Sequence, residues 1–132
     1  MNKIEHIGIA VKNLDTSNKL FSCLLGKEPY KTETIESEGV ITSFFQIGPN
    51  KVELLEGISD ESPISKFIKK KGEGIHHIAF DVDNIFETIK KLKKEGFSMV
   101  HEKPKKGADN KLIAFLHPKS SNGVLIELCQ DL

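Results

Sequence analysis

Hydrophobic and polar positions along the chain fall into a pattern that occurs twice. Glu5-His6-Ile7-Gly8-Ile9-Ala10-Val11-Lys12-Asn13-Leu14 reads as a strand leading into a helix, and His76-His77-Ile78-Ala79-Phe80-Asp81-Val82-Asp83-Asn84-Ile85 repeats it 71 positions on. Leu14, Leu20, Phe21, Leu24 and Leu25 then recur at helical spacing, as do Ile85, Phe86, Ile89 and Leu92. Asn13 or Asp15, and Asp83 or Asn84, can cap these helices by accepting from free backbone N–H groups. Gly26 and Gly96 stand where each helix should stop.

Three strand-like stretches follow each helix: 28–34, 40–47 and 51–55 in the first copy, and 98–102, 112–116 and 124–129 in the second. Gly48-Pro49-Asn50 and the segment 118–123 supply turn signals. The last strands correspond as well, Val52-Glu53-Leu54 matching Ile126-Glu127-Leu128 at 74 positions. The pattern predicts an α+β chain of two βαβββ modules, about 1–57 and 74–132, in one domain over 1–132. Between them Ser62 as N-cap, Pro63 at the first helical position and Gly72 as stop mark a connecting helix over 62–72. Its closing lysines suit the negative end of a helix dipole, which is a more economical reading than a phosphate site.

The repeat brings out two pairs of polar residues. His6 and His77 are equivalent in the first strands, and Glu53 and Glu127 in the last. Any one of them alone would read as a hydrogen-bonded core histidine or a carboxylate on a solvated sheet face. An unpaired carboxylate inside a strand buried on both faces costs several kcal/mol, and ligation removes that cost. Two symmetry-related pairs therefore favour a metal site of His6, Glu53, His77 and Glu127. Two imidazoles and two carboxylates suit one divalent ion per chain, Co²⁺, Zn²⁺, Ni²⁺ or Mn²⁺, better than Ca²⁺ or Mg²⁺. Four protein ligands in an octahedral arrangement leave two positions for substrate oxygens or water. Strand alternation points His76 away from His77, into packing or a hydrogen bond. His101 reads as exposed, and His117 either lines the mouth of a site or begins a turn.

Composition narrows the partners. Hydrophobic residues make up 38% of the 132, enough for a globular core. Acidic and basic residues both number 19, so no net field favours nucleic acid or an anionic membrane. All the basic residues are lysine, so an anion would be met by point charges or backbone N–H groups. No apolar run reaches the length of a membrane span, and the first residues lack a secretory signal pattern. Cys23 and Cys129 are far apart without CxxC spacing and read as buried, reduced thiols. The expectation is a cytoplasmic protein.

The chain resembles the vicinal-oxygen-chelate superfamily and, within it, the methylmalonyl-CoA epimerase family. The resemblance spans nearly the whole chain. It rests on His6-Ile7-Gly8-Ile9-Ala10-Val11, Lys51-Val52-Glu53-Leu54-Leu55-Glu56, Ser62-Pro63-Ile64, Gly72-Glu73-Gly74-Ile75-His76-His77-Ile78-Ala79-Phe80, Leu116-His117-Pro118-Lys119 and Gly123-Val124-Leu125-Ile126-Glu127-Leu128. It implies an incomplete eight-stranded barrel around the metal, with His6, His77 and Glu127 as ligands and Glu53 where some epimerases carry Gln. It also implies a homodimer and an acyl-CoA substrate, epimerised by α-proton abstraction through a metal-stabilised enolate. Glu53 and Glu127 would be the catalytic proton carriers. Some family members carry a further glutamate that aligns near Thr42, which is no base at neutral pH. The alternatives are a glyoxalase I-type lactoylglutathione lyase, which needs the same ligands, and a non-catalytic small-molecule binder, which needs no metal.

Overall fold

Asn13 and Asn84 start the two repeat-related helices. Each has extended backbone, and each side-chain oxygen accepts from the N–H three residues on, Thr16 at 2.9 Å and Glu87 at 3.1 Å. The next free N–H in each helix is met from the last strand of its own module. Leu14 N donates to Glu56 Oε1 at 2.6 Å, and Ile85 N donates to Gln130 Oε1 at 2.7 Å. Glu56 and Gln130 stand at the same 74-residue spacing as Glu53 and Glu127, so the repeat extends to helix anchoring.

The structure is a computed structural model that describes all 132 residues. In chain order the elements are β1 (Lys3–Ala10), α1 (Leu14–Leu25), β2 (Lys31–Ile35), β3 (Val40–Ile47), β4 (Asn50–Gly57), α2 (Pro63–Lys71), β5 (Gly74–Asp81), α3 (Ile85–Lys94), β6 (Lys105–Lys106), β7 (Lys111–Leu116) and β8 (Ile126–Asp131). This is the predicted α+β order, βαβββ twice with a helix between. Strand pairing runs β2-β3-β4-β1-β5-β8-β7-β6. Ser62, Pro63 and Gly72 bound α2 as the sequence indicates.

Two compact units divide the chain. In residues 7–76, Val11, Leu14, Phe45 and Leu54 pack with Phe21 and Leu25 of α1, while Ala10, Val40, Leu55 and Ile64 pack with Phe67 and Ile68 of α2. In the unit formed by residues 1–6 and 77–132, Val82, Ile85, Ile89, Ala114, Leu116 and Leu128 form the main cluster. Ala79, Ile113 and Cys129 form a second one beside Phe115.

Several local expectations change. Leu20 and Leu24 are 64% and 71% exposed, so α1 packs through Leu14, Phe21 and Leu25 instead. At about 100° per residue, both lie roughly 80–120° around the helix from that stripe. Phe86 is exposed for the same reason, one position off the stripe of Ile85, Ile89 and Leu92. Cys23 lies on the outer side of α1 and is exposed; only Cys129 is buried. Segment 98–102 is no strand. Met99 forms a single bridge to Leu116, and the polar run His101-Glu102-Lys103 ends at Pro104, which has no N–H to donate. The short strand before β7 is instead Lys105–Lys106. The last strand begins two residues later than expected, at Ile126.

Candidate metal centre

β1, β5 and β8 are neighbours in the strand order, and each contributes one buried polar side chain to the same point. Asn2 N donates to Asp81 O at 2.9 Å, tying the start of β1 to the end of β5. β5 and β8 pair in parallel, with Ala79 opposite Glu127. Parallel strands need a long crossover, here supplied by α3 and the segment through β7. His6, His77 and Glu127 are 5%, 3% and 5% exposed. His6 Nε2 lies 3.0 Å from His77 Nε2 and 3.0 Å from Glu127 Oε1, and His77 Nε2 lies 3.5 Å from the same oxygen. All three residues belong to one compact unit.

The donor set fits a divalent ion. Donors held about 2.0–2.2 Å from one centre stand roughly 3.0–3.5 Å apart, which is the range of these separations. The electrostatics agree. Burial raises the Glu127 carboxyl, but hydrogen bonds with His6 and His77, and their charge, outweigh it and bring it down from 4.5 to about 2. The carboxylate thus carries negative charge inside the protein at neutral pH. Around this set, the Cys129 thiol donates to Glu127 Oε1 at 3.5 Å. The His77 ring meets the Phe115 ring edge-on at 5.8 Å. Phe115 is also the cross-strand partner of Glu127.

Glu53 lies in β4 of the other unit and is 5% exposed. Its cross-strand partner is Phe44, as Phe115 is that of Glu127. Thr42, fully buried, donates through Oγ1 to Glu53 Oε2 at 2.7 Å. Thr42 is therefore a hydrogen-bond donor to the carboxylate that the repeat singles out.

The other histidines divide as strand alternation requires. His76 packs edge-on against Phe67 at 4.9 Å, within residues 7–76. His101 is exposed. His117 is exposed and begins a turn, its Nδ1 accepting from Lys119 N at 3.1 Å. Sequence reasoning missed Glu5, which is 2% exposed and whose Oε1 lies 2.8 Å from His6 Nδ1. The sequence carried little signal for it, since alternation places the neighbour of an inward histidine on the opposite face.

Residues 5–115 match the Glyoxalase/Bleomycin resistance protein/Dioxygenase superfamily. Over 129 residues the chain is 40% identical to the mitochondrial methylmalonyl-CoA epimerase of Dictyostelium discoideum, covering 97% of this chain and 78% of that one. It is 35% identical over 132 residues to an ethylmalonyl-CoA/methylmalonyl-CoA epimerase of Cereibacter sphaeroides, covering 98% of both. Its fold superimposes on that of a single-residue variant of a Streptomyces coelicolor methylmalonyl-CoA epimerase in complex with 2-nitronate-propionyl-CoA. The TM-score is 0.96 at 33% identity, over 99% of this chain and 95% of the other.

Proposed function

This chain belongs to the glyoxalase/bleomycin resistance protein/dioxygenase superfamily, and from that premise we propose that it is an isomerase that epimerises methylmalonyl-CoA. The observation that carries the reading is the convergence of His6, His77 and Glu127 in a buried site, in a chain similar over nearly its full length to epimerases of this substrate. In this reading these three residues would hold one divalent ion, and the repeat-related Glu53 is the proposed fourth ligand. The ion, Co²⁺, Zn²⁺, Ni²⁺ or Mn²⁺, supplies Lewis-acid stabilisation of charge developing on the thioester oxygen.

The substrate carbon lies between a thioester carbonyl and a carboxylate, so its hydrogen is weakly acidic. Inversion requires that this proton leave from one face and that a proton return to the other. We assign these transfers to the two repeat-related carboxylates, Glu127 and Glu53. The Thr42 hydroxyl fixes the direction of the Glu53 carboxylate by donating to one of its oxygens. His6 and His77 orient the site from β1 and β5. The working form in this reading is a homodimer, which light scattering on the pure protein tests.

The direct test is incubation of methylmalonyl-CoA with metal-loaded protein in heavy water, followed by proton NMR. Loss of the α-proton signal together with interconversion of the two epimers is expected. Retention of the α-proton with each of the four ions would overturn the proposal.

A further inference from the structure

Glu5 is a carboxyl group where the strand pattern leaves no room for one. β1 exposes Ile4, at 43%, and buries its neighbour Glu5, at 2%. Burying a carboxyl without partners costs several kcal/mol, and the partners of Glu5 are specific. Oε1 lies 2.8 Å from His6 Nδ1. Oε2 lies 3.8 Å from Nζ of Lys111, itself a buried lysine in close contact with Asp131. A continuous line of charge thus runs from Asp131 through Lys111 to Glu5 and ends on the far nitrogen of a metal-site imidazole. The repeat supplies an internal comparison. The position equivalent to Glu5 is His76, which packs on Phe67, and His77 has the Phe115 ring against it. Only one of the two paired histidines has a carboxyl on its strand neighbour.

The geometry points to Glu5 as the positioning residue of His6, with Lys111 holding Glu5 in place. A neutral imidazole has one N–H and one lone pair. A carboxyl 2.8 Å from Nδ1 holds the hydrogen there, so a neutral His6 that takes up an ion would offer its lone pair at Nε2. Nε2 is the atom that faces His77 and Glu127. Glu5 therefore fixes both the tautomer and the ring direction that an ion requires, and a carboxylate behind the ring makes Nε2 a stronger donor. The assignment rests on the metal reading above, while the bond between Glu5 and His6 stands without it.

The test uses the full chain labelled with ¹⁵N at histidine. In the parent protein, His6 Nδ1 carries a proton both ion-free and Zn²⁺-loaded, read from its ¹⁵N shift and its coupling to the ring protons. Chelator competition gives the Zn²⁺ affinity. Glu5→Met should lower that affinity by about 10–100-fold and leave Nδ1 without a fixed proton. Glu5→Gln, which can still accept through its amide oxygen, should keep the Nδ1 proton and lose less affinity. Lys111→Met should keep the proton and broaden its signal as Glu5 loosens. An unprotonated His6 Nδ1 in the parent would overturn the assignment, and this readout holds even if Glu5→Met fails to fold. Affinity within about twofold of the parent in a folded Glu5→Met would overturn it too. A parent protein that binds no Zn²⁺ would bring down the metal reading, and the state of Nδ1 would still decide the bond to Glu5.

Discussion

His6 Nε2 and Glu127 Oε1 lie 3.0 Å apart, although they come from the first and the last strands that the chain makes. With His77 Nε2 they bring three buried donor atoms together from three neighbouring strands. Two imidazoles and an ionised carboxylate are costly to bury as isolated groups. They are consistent as a ligand set, since an ion can replace the protons shared among them.

Metal content separates the adjacent histidines. Pure parent protein should carry one divalent ion per chain by elemental analysis, and His6→Ala or His77→Ala should carry less than about a tenth of that. His76→Ala should keep its ion and lose about 1 kcal/mol of stability, the worth of its edge-on contact with Phe67. Metal loss in His76→Ala but not in His77→Ala would mean that the strand register is displaced by one residue.

Glu53→Gln keeps an oxygen donor and removes a base. The variant should still exchange the α-proton of one epimer through Glu127 and should hardly interconvert the epimers, as read by proton NMR in heavy water. Epimerisation at the parent rate would reduce Glu53 to a ligand.

Thr42→Val keeps nearly the same volume and deletes the hydroxyl that donates to Glu53. A buried hydrogen bond to a charged acceptor is worth about 1.5–3 kcal/mol, so urea unfolding of the ion-free variant should show a loss in that range. A midpoint unchanged from the parent would mean that Glu53 is held by other groups.

Acid should destabilise the ion-free protein through Glu127. Burial raises this carboxyl, and the bonds and charge of His6 and His77 bring it from 4.5 to about 2 in the fold. A group that binds its proton less readily folded than unfolded stabilises the fold fully above the unfolded value. It loses that contribution as pH falls toward the folded one. Stability should therefore decline between about pH 4.5 and 2, and Glu127→Gln should flatten that decline. Parallel curves for parent and variant would exclude Glu127 as a source of the acid sensitivity.

The sequence was most informative where the repeat could be used. His76 and His77 are chemically alike, and only the match to His6 selects the second of them; His77 is buried, with its Nε2 3.0 Å from that of His6. The cap at Ser62 was legible because short polar side chains at helix starts have a local cause, and at the other two helices the structure selects Asn13 over Asp15 and Asn84 over Asp83. Leu20, Leu24 and Phe86 were misread because apolar character at roughly helical spacing does not fix which stripe finds a partner. Segment 98–102 carried too little apolar pattern to tell a strand from a loop held by one bridge. Glu5 was passed over because alternation assigns the neighbour of an inward histidine to the opposite face, where polarity usually means solvent.

The parallel pairing of β5 with β8 also sets an order of events in synthesis. Both imidazoles emerge from the ribosome well before the strand that carries Glu127, and a pairing that spans so much chain closes late. A nascent chain stopped at Ser120 contains His6 and His77 without that carboxylate, and should release Zn²⁺ to a chelator that a chain extended through β8 resists. Retention of the ion would then report that β8 has paired with β5.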